Sequence, residues 1–151
     1  MLSIQIRGAK PSDVAALSEL YRRSSLSNEG DREQLVAHPD SLVFDPVPVH
    51  EGRTRVATVE GRIVGFTSTS ATTEGLELDD LFVDPDWMRQ GVGTQLMRDI
   101  EAVTRSRGDT RLEVTANDHA LAFYVQAGFT PEQRIHTQLG AGTRMRLDLA
   151  T

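Results

Sequence analysis

Between residues 81 and 94 the chain reads Leu-Phe-Val-Asp-Pro-Asp-Trp-Met-Arg-Gln-Gly-Val-Gly-Thr, and no other run constrains the fold as strongly. Leu81, Phe82 and Val83 end a strand, Pro85 stops it, and after a short loop Gly91 and Gly93 lead into a helix. A loop of this kind presents several backbone N–H groups at the positive end of a helix dipole, which suits a phosphate or pyrophosphate. Gly-x-Gly alone is an ordinary turn signal, and a bland loop is its commoner origin. A second segment must therefore speak.

That segment is Asn117-Asp118-His119-Ala120-Leu121-Ala122-Phe123-Tyr124-Val125-Gln126-Ala127-Gly128-Phe129, a helix that closes at a glycine. Together the two runs resemble the GNAT superfamily of N-acetyltransferases, which bind acetyl-coenzyme A. In that family the first run is the acyl-CoA loop: Arg or Gln, two variable residues, Gly, one variable residue, then Gly or Ala. The second carries Asn, Ala, Phe-Tyr and a final Gly-Phe. The Arg/Gln slot three residues before Gly91 here holds Met88. Because the loop acts through main-chain amides, the departure bears on a side-chain contact, for which Arg89 or Gln90 is the substitute.

Local rules give a compatible order of elements. Ile4 to Arg7 alternates like a strand, and Pro11 with Asp13 opens a helix whose Val14, Leu17, Leu20 and Tyr21 form one stripe. From Leu26 to Glu51 the pattern is poor: a short charged helix is expected around Asp31 to Ala37, and Pro39, Pro46 and Pro48 then break regular structure. This stretch reads as a variable excursion near the substrate. Arg53 to Glu60 and Arg62 to Ser70 are two strands of a hairpin turning at Glu60-Gly61, and Leu76 to Val83 is the next strand. The helix after Gly93 turns Leu96, Ile100 and Val103 inward and stops at Gly108. Arg111 to Thr115 is a strand, Asp118 or Asn117 caps the following helix, and Phe129 to His136 closes against Thr143 to Leu149. The resemblance implies one GNAT domain over residues 1–151. Its fold class would be α+β (mixed α/β), with a central mixed, mostly antiparallel sheet flanked by helices on both faces.

Composition narrows the function. With 151 residues and 38% hydrophobic content, one domain of this size buries roughly two thirds of its unfolded surface and needs no metal or disulfide. There is no cysteine, hence no thiolate zinc site and no cysteine nucleophile. His38, His50, His119 and His136 are scattered without ligand spacing, so no metal is expected. The only lysine is Lys10, which excludes the phosphate loop of an NTPase. No apolar run approaches the ~20 residues that span a bilayer, and no signal segment opens the chain. A cytoplasmic protein without membrane contact is expected. A net charge of −6 argues against nonspecific nucleic-acid binding and mildly favours a cationic amine, either a small molecule or a peptide amine. A homodimer stays open.

Acetyl transfer to an amine needs a deprotonated nucleophile, a polarised thioester carbonyl and a proton for the leaving thiolate. Alternation on the strand 76–83 puts Glu77, Asp79, Leu81 and Val83 on one face. Glu77 is the first candidate base or ammonium anchor, Asp79 the second and Asp80 a distant third; a solvated strand edge explains any of them equally well. Glu77 also stands where some members of the resembled family carry a general-base glutamate. Tyr124, with an ordinary phenol pKa near ~10, can donate to the thiolate; core packing beside Phe123 is the plainer role on the residues alone, and the resemblance of its helix to that of the family implies the catalytic acid.

The resemblance adds the cofactor set. Main-chain groups of Leu81, Phe82 and Val83 would pair with the pantetheine arm as an added strand does. The amides of Arg89, Gln90, Gly91, Val92, Gly93 and Thr94 would meet the pyrophosphate, and Asn117 would contact the arm or a water unless it is a simple cap. Acetyl-CoA is thus the expected cosubstrate and direct attack by a primary amine the expected reaction. The alternatives are an acyl-CoA sensor without turnover, or acyl transfer to another acceptor. The acceptor itself is shaped by the excursion 26–51 and the turn 134–143, where sequence rules say least.

Overall fold

The computed structural model describes residues 3–27, 33, 36–37, 39–137 and 140–149. Seven strands form one sheet: β1 (Gln5–Gly8), β2 (Thr54–Val59), β3 (Arg62–Ala71), β4 (Gly75–Val83), β5 (Arg111–Asn117), β6 (Thr130–Thr137) and β7 (Gly140–Asp148), in the order β1-β2-β3-β4-β5-β7-β6. The described residues include helices α1 (Val14–Leu26), α2 (Val47–His50), α3 (Val92–Ser106) and α4 (Leu121–Gln126), with short 3-10 turns at Pro11–Asp13, Pro39–Leu42 and Pro85–Trp87. β4 and β5 run parallel, as a strand–helix–strand crossover through α3 requires, while β1–β2, β2–β3, β5–β7 and β6–β7 are antiparallel. The architecture is therefore mixed α+β on a mostly antiparallel sheet.

The chain divides into two compact units, one of residues 1–68 and 80–96, the other of residues 69–79 and 97–151. In the first unit, alternation along β2 and β3 sends side chains to opposite faces. Val56 and Phe66 join Leu17 and Leu20 of α1 and Val49 of α2. Ala57, Val59 and Val64 join Val92 and Leu96 of α3. Helices thus cover both faces. Tyr21, Phe44, Phe66 and Phe82 pack as a chain of rings, with the Tyr21 and Phe82 centroids 5.0 Å apart. In the second unit Leu76, Leu78, Leu112, Val114, Ala116 and Met145 are buried at alternate strand positions.

Several local expectations need correction. The helix begins at Val92, one residue before Gly93, so Gly93 lies inside its first turn. Neither Asn117 nor Asp118 caps α4: Asn117 stays in β5 opposite Gly142, Ala120 takes the N-cap position without a side-chain bond, and Asp118 pairs with Arg134. Pro46 and Pro48 do not prevent local helix, because Pro48 sits at the start of α2, where no amide donor is needed. In α3 the fully buried position near the C-terminal end is Thr104, whose hydroxyl donates to the Ile100 carbonyl at 2.7 Å; Val103 is half-buried. Of the charged helix expected at 31–37, residues 31, 32, 34 and 35 lie outside the described residues, as do His38 and the turn residues 138–139.

Candidate functional site

The first unit holds the strand end, the loop and the helix start. Leu81 and Val83 pack on the α3 side and Phe82 on the α1 side. The Asp84 N–H bonds the Val64 carbonyl of β3 at 2.8 Å, whereas the Val83 carbonyl accepts from Ser24 Oγ at 3.1 Å. Asp84, 2% exposed, accepts the Asp86 N–H at 2.9 Å and both Nη atoms of Arg23 at 3.0 and 3.1 Å. This opens the 3-10 turn Pro85–Trp87 as an N-cap.

Beyond that turn the backbone coils: Arg89 has φ 63° and Gly91 φ 86°, a left-handed conformation that glycine adopts without cost. The first backbone bond of α3 runs from the Gln95 N–H to the Gly91 carbonyl at 3.0 Å. The amides of Val92, Gly93 and Thr94 therefore precede the helical ladder and carry the positive end of its dipole. Val92 is 1% exposed and pins the turn, while Arg89, Gln90, Gly91 and Thr94 are exposed. Gly65 brings the helix start close to the sheet: a Cβ there would stand 2.9 Å from a Val92 methyl and 3.0 Å from the Phe82 carbonyl oxygen. Also in this unit, half-buried Asp80 accepts from Ser68 Oγ, and burial plus the Asp80 charge push the Tyr21 phenol pKa up.

The second unit holds the acid candidate Tyr124 and the first two base candidates, Glu77 and Asp79. Glu77 does not stand alone: Arg144 Nη1 reaches its Oε2 at 2.6 Å and Nη2 its Oε1 at 3.0 Å. The same guanidinium bonds Glu113 at 2.8 Å and the Thr115 hydroxyl at 2.9 Å, joining β4, β5 and β7 across one sheet face. Its bond to Glu77 is the leading reason that Arg144 holds its proton more firmly than usual, against partial burial. The ladder between β4 and β5 covers Gly75–Leu78. Asp79, exposed, is the first residue of β4 past it.

Tyr124 is 6% exposed, its ring between Phe123 and Phe129 at centroid distances of 5.2 and 5.4 Å. The Phe129 N–H bonds the Tyr124 carbonyl at 3.0 Å, closing α4 over Gly128 at φ 104°. Asn117 is exposed at the end of β5.

The expected cofactor residues Leu81, Phe82, Val83 and Arg89 to Thr94 thus share the first unit, and Glu77, Asp79, Asn117 and Tyr124 share the second. Two groups escaped the sequence reading. Arg23 is 61 residues from Asp84, and only the end of the strand at Pro85 was locally visible. Arg144 is found only through strand register, since Glu77 stands opposite Glu113 in β5, and Arg144 of β7 stands opposite Thr115, two residues further along the same face. Among the described residues no three His, Asp or Glu side chains group as a metal site requires, and no helix is long and apolar enough to cross a membrane.

A family model described as an acetyltransferase (GNAT) domain matches residues 49–148. The glucosamine 6-phosphate N-acetyltransferase of Trypanosoma brucei brucei is 30% identical over 96 residues, 59% of this chain and 59% of that protein. An uncharacterized N-acetyltransferase of Methanocaldococcus jannaschii is 30% identical over 88 residues, 52% of this chain and 39% of that one. The chain thus spans less than two thirds of the curated relatives it matches. Among solved structures, a GCN5-related N-acetyltransferase from Rhodopseudomonas palustris superposes with TM-score 0.80 at 27% identity, covering 99% of this chain and 98% of that one. The PaiA N-acetyltransferase of Thermoplasma acidophilum, in complex with coenzyme A, gives TM-score 0.77 at 20% identity over 97% of this chain and 99% of its own. The coiled loop, its amide-bearing helix start and this match over residues 49–148 agree: the chain belongs to the GNAT acetyltransferase family.

Proposed function

We propose that this chain is a single-domain, acetyl-CoA-dependent N-acetyltransferase that moves an acetyl group to a primary amine by direct attack on the thioester. The observation that carries the reading is the turn at Arg89 to Gly91 feeding three amides, Val92 to Thr94, ahead of the α3 ladder. Such a turn suits a pyrophosphate. Because the Asp84 N–H is bonded to β3 and peptide groups alternate along a strand, Leu81 and Val83 direct their amides to the other edge. That edge would receive the pantetheine arm, with Phe82 contributing its ring to the core rather than a main-chain contact. Asn117 adds a polar side chain at the end of β5.

In the reaction the amine nitrogen attacks the carbonyl carbon, the C–N bond forms, the C–S bond breaks, and a proton passes to the thiolate. Both oxygens of Glu77 are taken up by the Arg144 guanidinium, so exposed Asp79 is the group proposed to take or anchor the ammonium proton, and Glu77 orders the strand around it. Tyr124 supplies the proton to sulfur. The trypanosomal relative, named for glucosamine 6-phosphate, supports a small-molecule amine as acceptor. The engagement of Glu77 by Arg144 also favours a second reading, a CoA-binding module without turnover. Thiol release with a panel of sugar amines, polyamines, amino acids and peptides decides between them.

Gly93 tests the cofactor assignment. It lies within the helix, where glycine costs about 1 kcal/mol relative to alanine, and close approach of a phosphate to the backbone is the role proposed for it. Calorimetry should find CoA binding weakened by about tenfold or more in Gly93→Val. Equal affinity in both proteins would remove the pyrophosphate assignment.

A further inference from the structure

Asp84 is bonded through every polar group it has. Its N–H donates to Val64, its carbonyl accepts from the Trp87 N–H at 2.8 Å, one carboxylate oxygen accepts the Asp86 N–H, and the two oxygens together take the Arg23 fork. Arg23 Nη2 also reaches Asp86 Oδ2 at 3.1 Å, and Arg62 stands 3.6 Å from Asp84. One residue along α1, Ser24 Oγ holds the Val83 carbonyl. The last turn of α1 is therefore stitched to three points within four residues, Val83, Asp84 and Asp86, where β4 gives way to the loop.

A carboxylate 3% exposed is costly to desolvate, and well-packed apolar residues commonly stabilise such a place as well. What an ion pair adds is direction: a planar fork on a carboxylate fixes distance and angle together. The fixed segment ends at Trp87, which packs against the cluster of Val92 and Leu96. Only Met88 to Gly91 then separate it from the first amide ahead of the helical ladder, and those four residues are exposed. Their path is set by their two ends.

We propose that Arg23 and Asp84 are positioning residues for the cofactor loop, holding its entry so that the amides of the α3 start converge on a pyrophosphate. The proposal rests on the pyrophosphate reading of that loop. It makes α1 a structural part of cofactor binding although none of its side chains need touch the ligand.

The test compares two probes, CoA and pantetheine, the latter being the same arm without pyrophosphate and nucleotide. Titrations with CoA, and displacement of CoA by pantetheine, are made on wild type, Arg23→Gln and Arg23→Lys, with the melting temperature of each. Arg23→Gln should raise the Kd for CoA about tenfold while that for pantetheine stays within about twofold. Arg23→Lys keeps the charge but not the fork, gives a second measurement that does not depend on the folding of the glutamine variant, and should fall between that variant and wild type. If both ligands weaken together, or neither does while the melting temperature drops, the pair serves stability alone and the proposal is overturned. If wild type itself binds CoA no more tightly than pantetheine, the pyrophosphate reading fails and the positioning role goes with it. A wild-type preference that survives both substitutions overturns the positioning role only.

Discussion

The Tyr124 ring is packed edge-on between Phe123 and Phe129 and is 6% exposed, which is what a core tyrosine would show as well as a catalytic one. The hydroxyl separates the two roles. Tyr124→Phe keeps the ring contacts, so the fold should lose little stability. If the phenol protonates the departing thiolate, turnover should drop by roughly 10²-fold with CoA affinity unchanged, because the interaction matters as charge develops on sulfur; full turnover in the variant would leave Tyr124 a packing residue. The carboxylates on β4 separate in the same way. Asp79→Asn should lower kcat/KM for the amine by about 10²-fold and move the acidic limb of the pH profile. Glu77→Gln should chiefly destabilise, by leaving Arg144 half paired. The reverse pattern, a shifted profile for Glu77→Gln and none for Asp79→Asn, would return the base to Glu77.

At the scale of elements, the seating of α3 on the sheet decides where its free amides point. Gly65 permits that seating, since an added Cβ would meet Val92 and Leu96 side chains at 2.9 and 3.1 Å and the Phe82 carbonyl at 3.0 Å. The Phe82 oxygen belongs to the β4 backbone and the Val92 methyl to a stiff β-branched side chain, so both the strand and the start of the helix must give. Gly65→Ala should therefore cost about 1–3 kcal/mol of stability, as overpacking does, and also weaken CoA binding through the displaced first turn. Urea unfolding paired with CoA titration checks both. Loss of stability with full CoA affinity would mean that the helix adjusts without moving its amides.

For the whole molecule, β4 and α3 each run without a break through the division between the two compact units. A strand or helix shared in this way leaves no linker at which one unit could melt alone. Calorimetric unfolding should give one transition with calorimetric and van't Hoff enthalpies equal; two resolved transitions would count against a single domain. The order of elements and the loop between strand and helix were legible in the sequence because each follows from local chemistry: alternation for strands, a 3.6-residue stripe for helices, Pro and Gly for the breaks. The Asn117 and Asp118 caps were misread because pairing to Gly142 and to Arg134, both distant in sequence, overrode a local preference for capping. Sequence by itself determined which residue types reach the loop and the sheet faces, and hence the family. Tertiary structure alone decided that Glu77 is bound to Arg144 and that Asp84 is held by Arg23. Those pairs span 67 and 61 residues, and at such separations strand register and helix seating, not any local pattern, determine which charges meet.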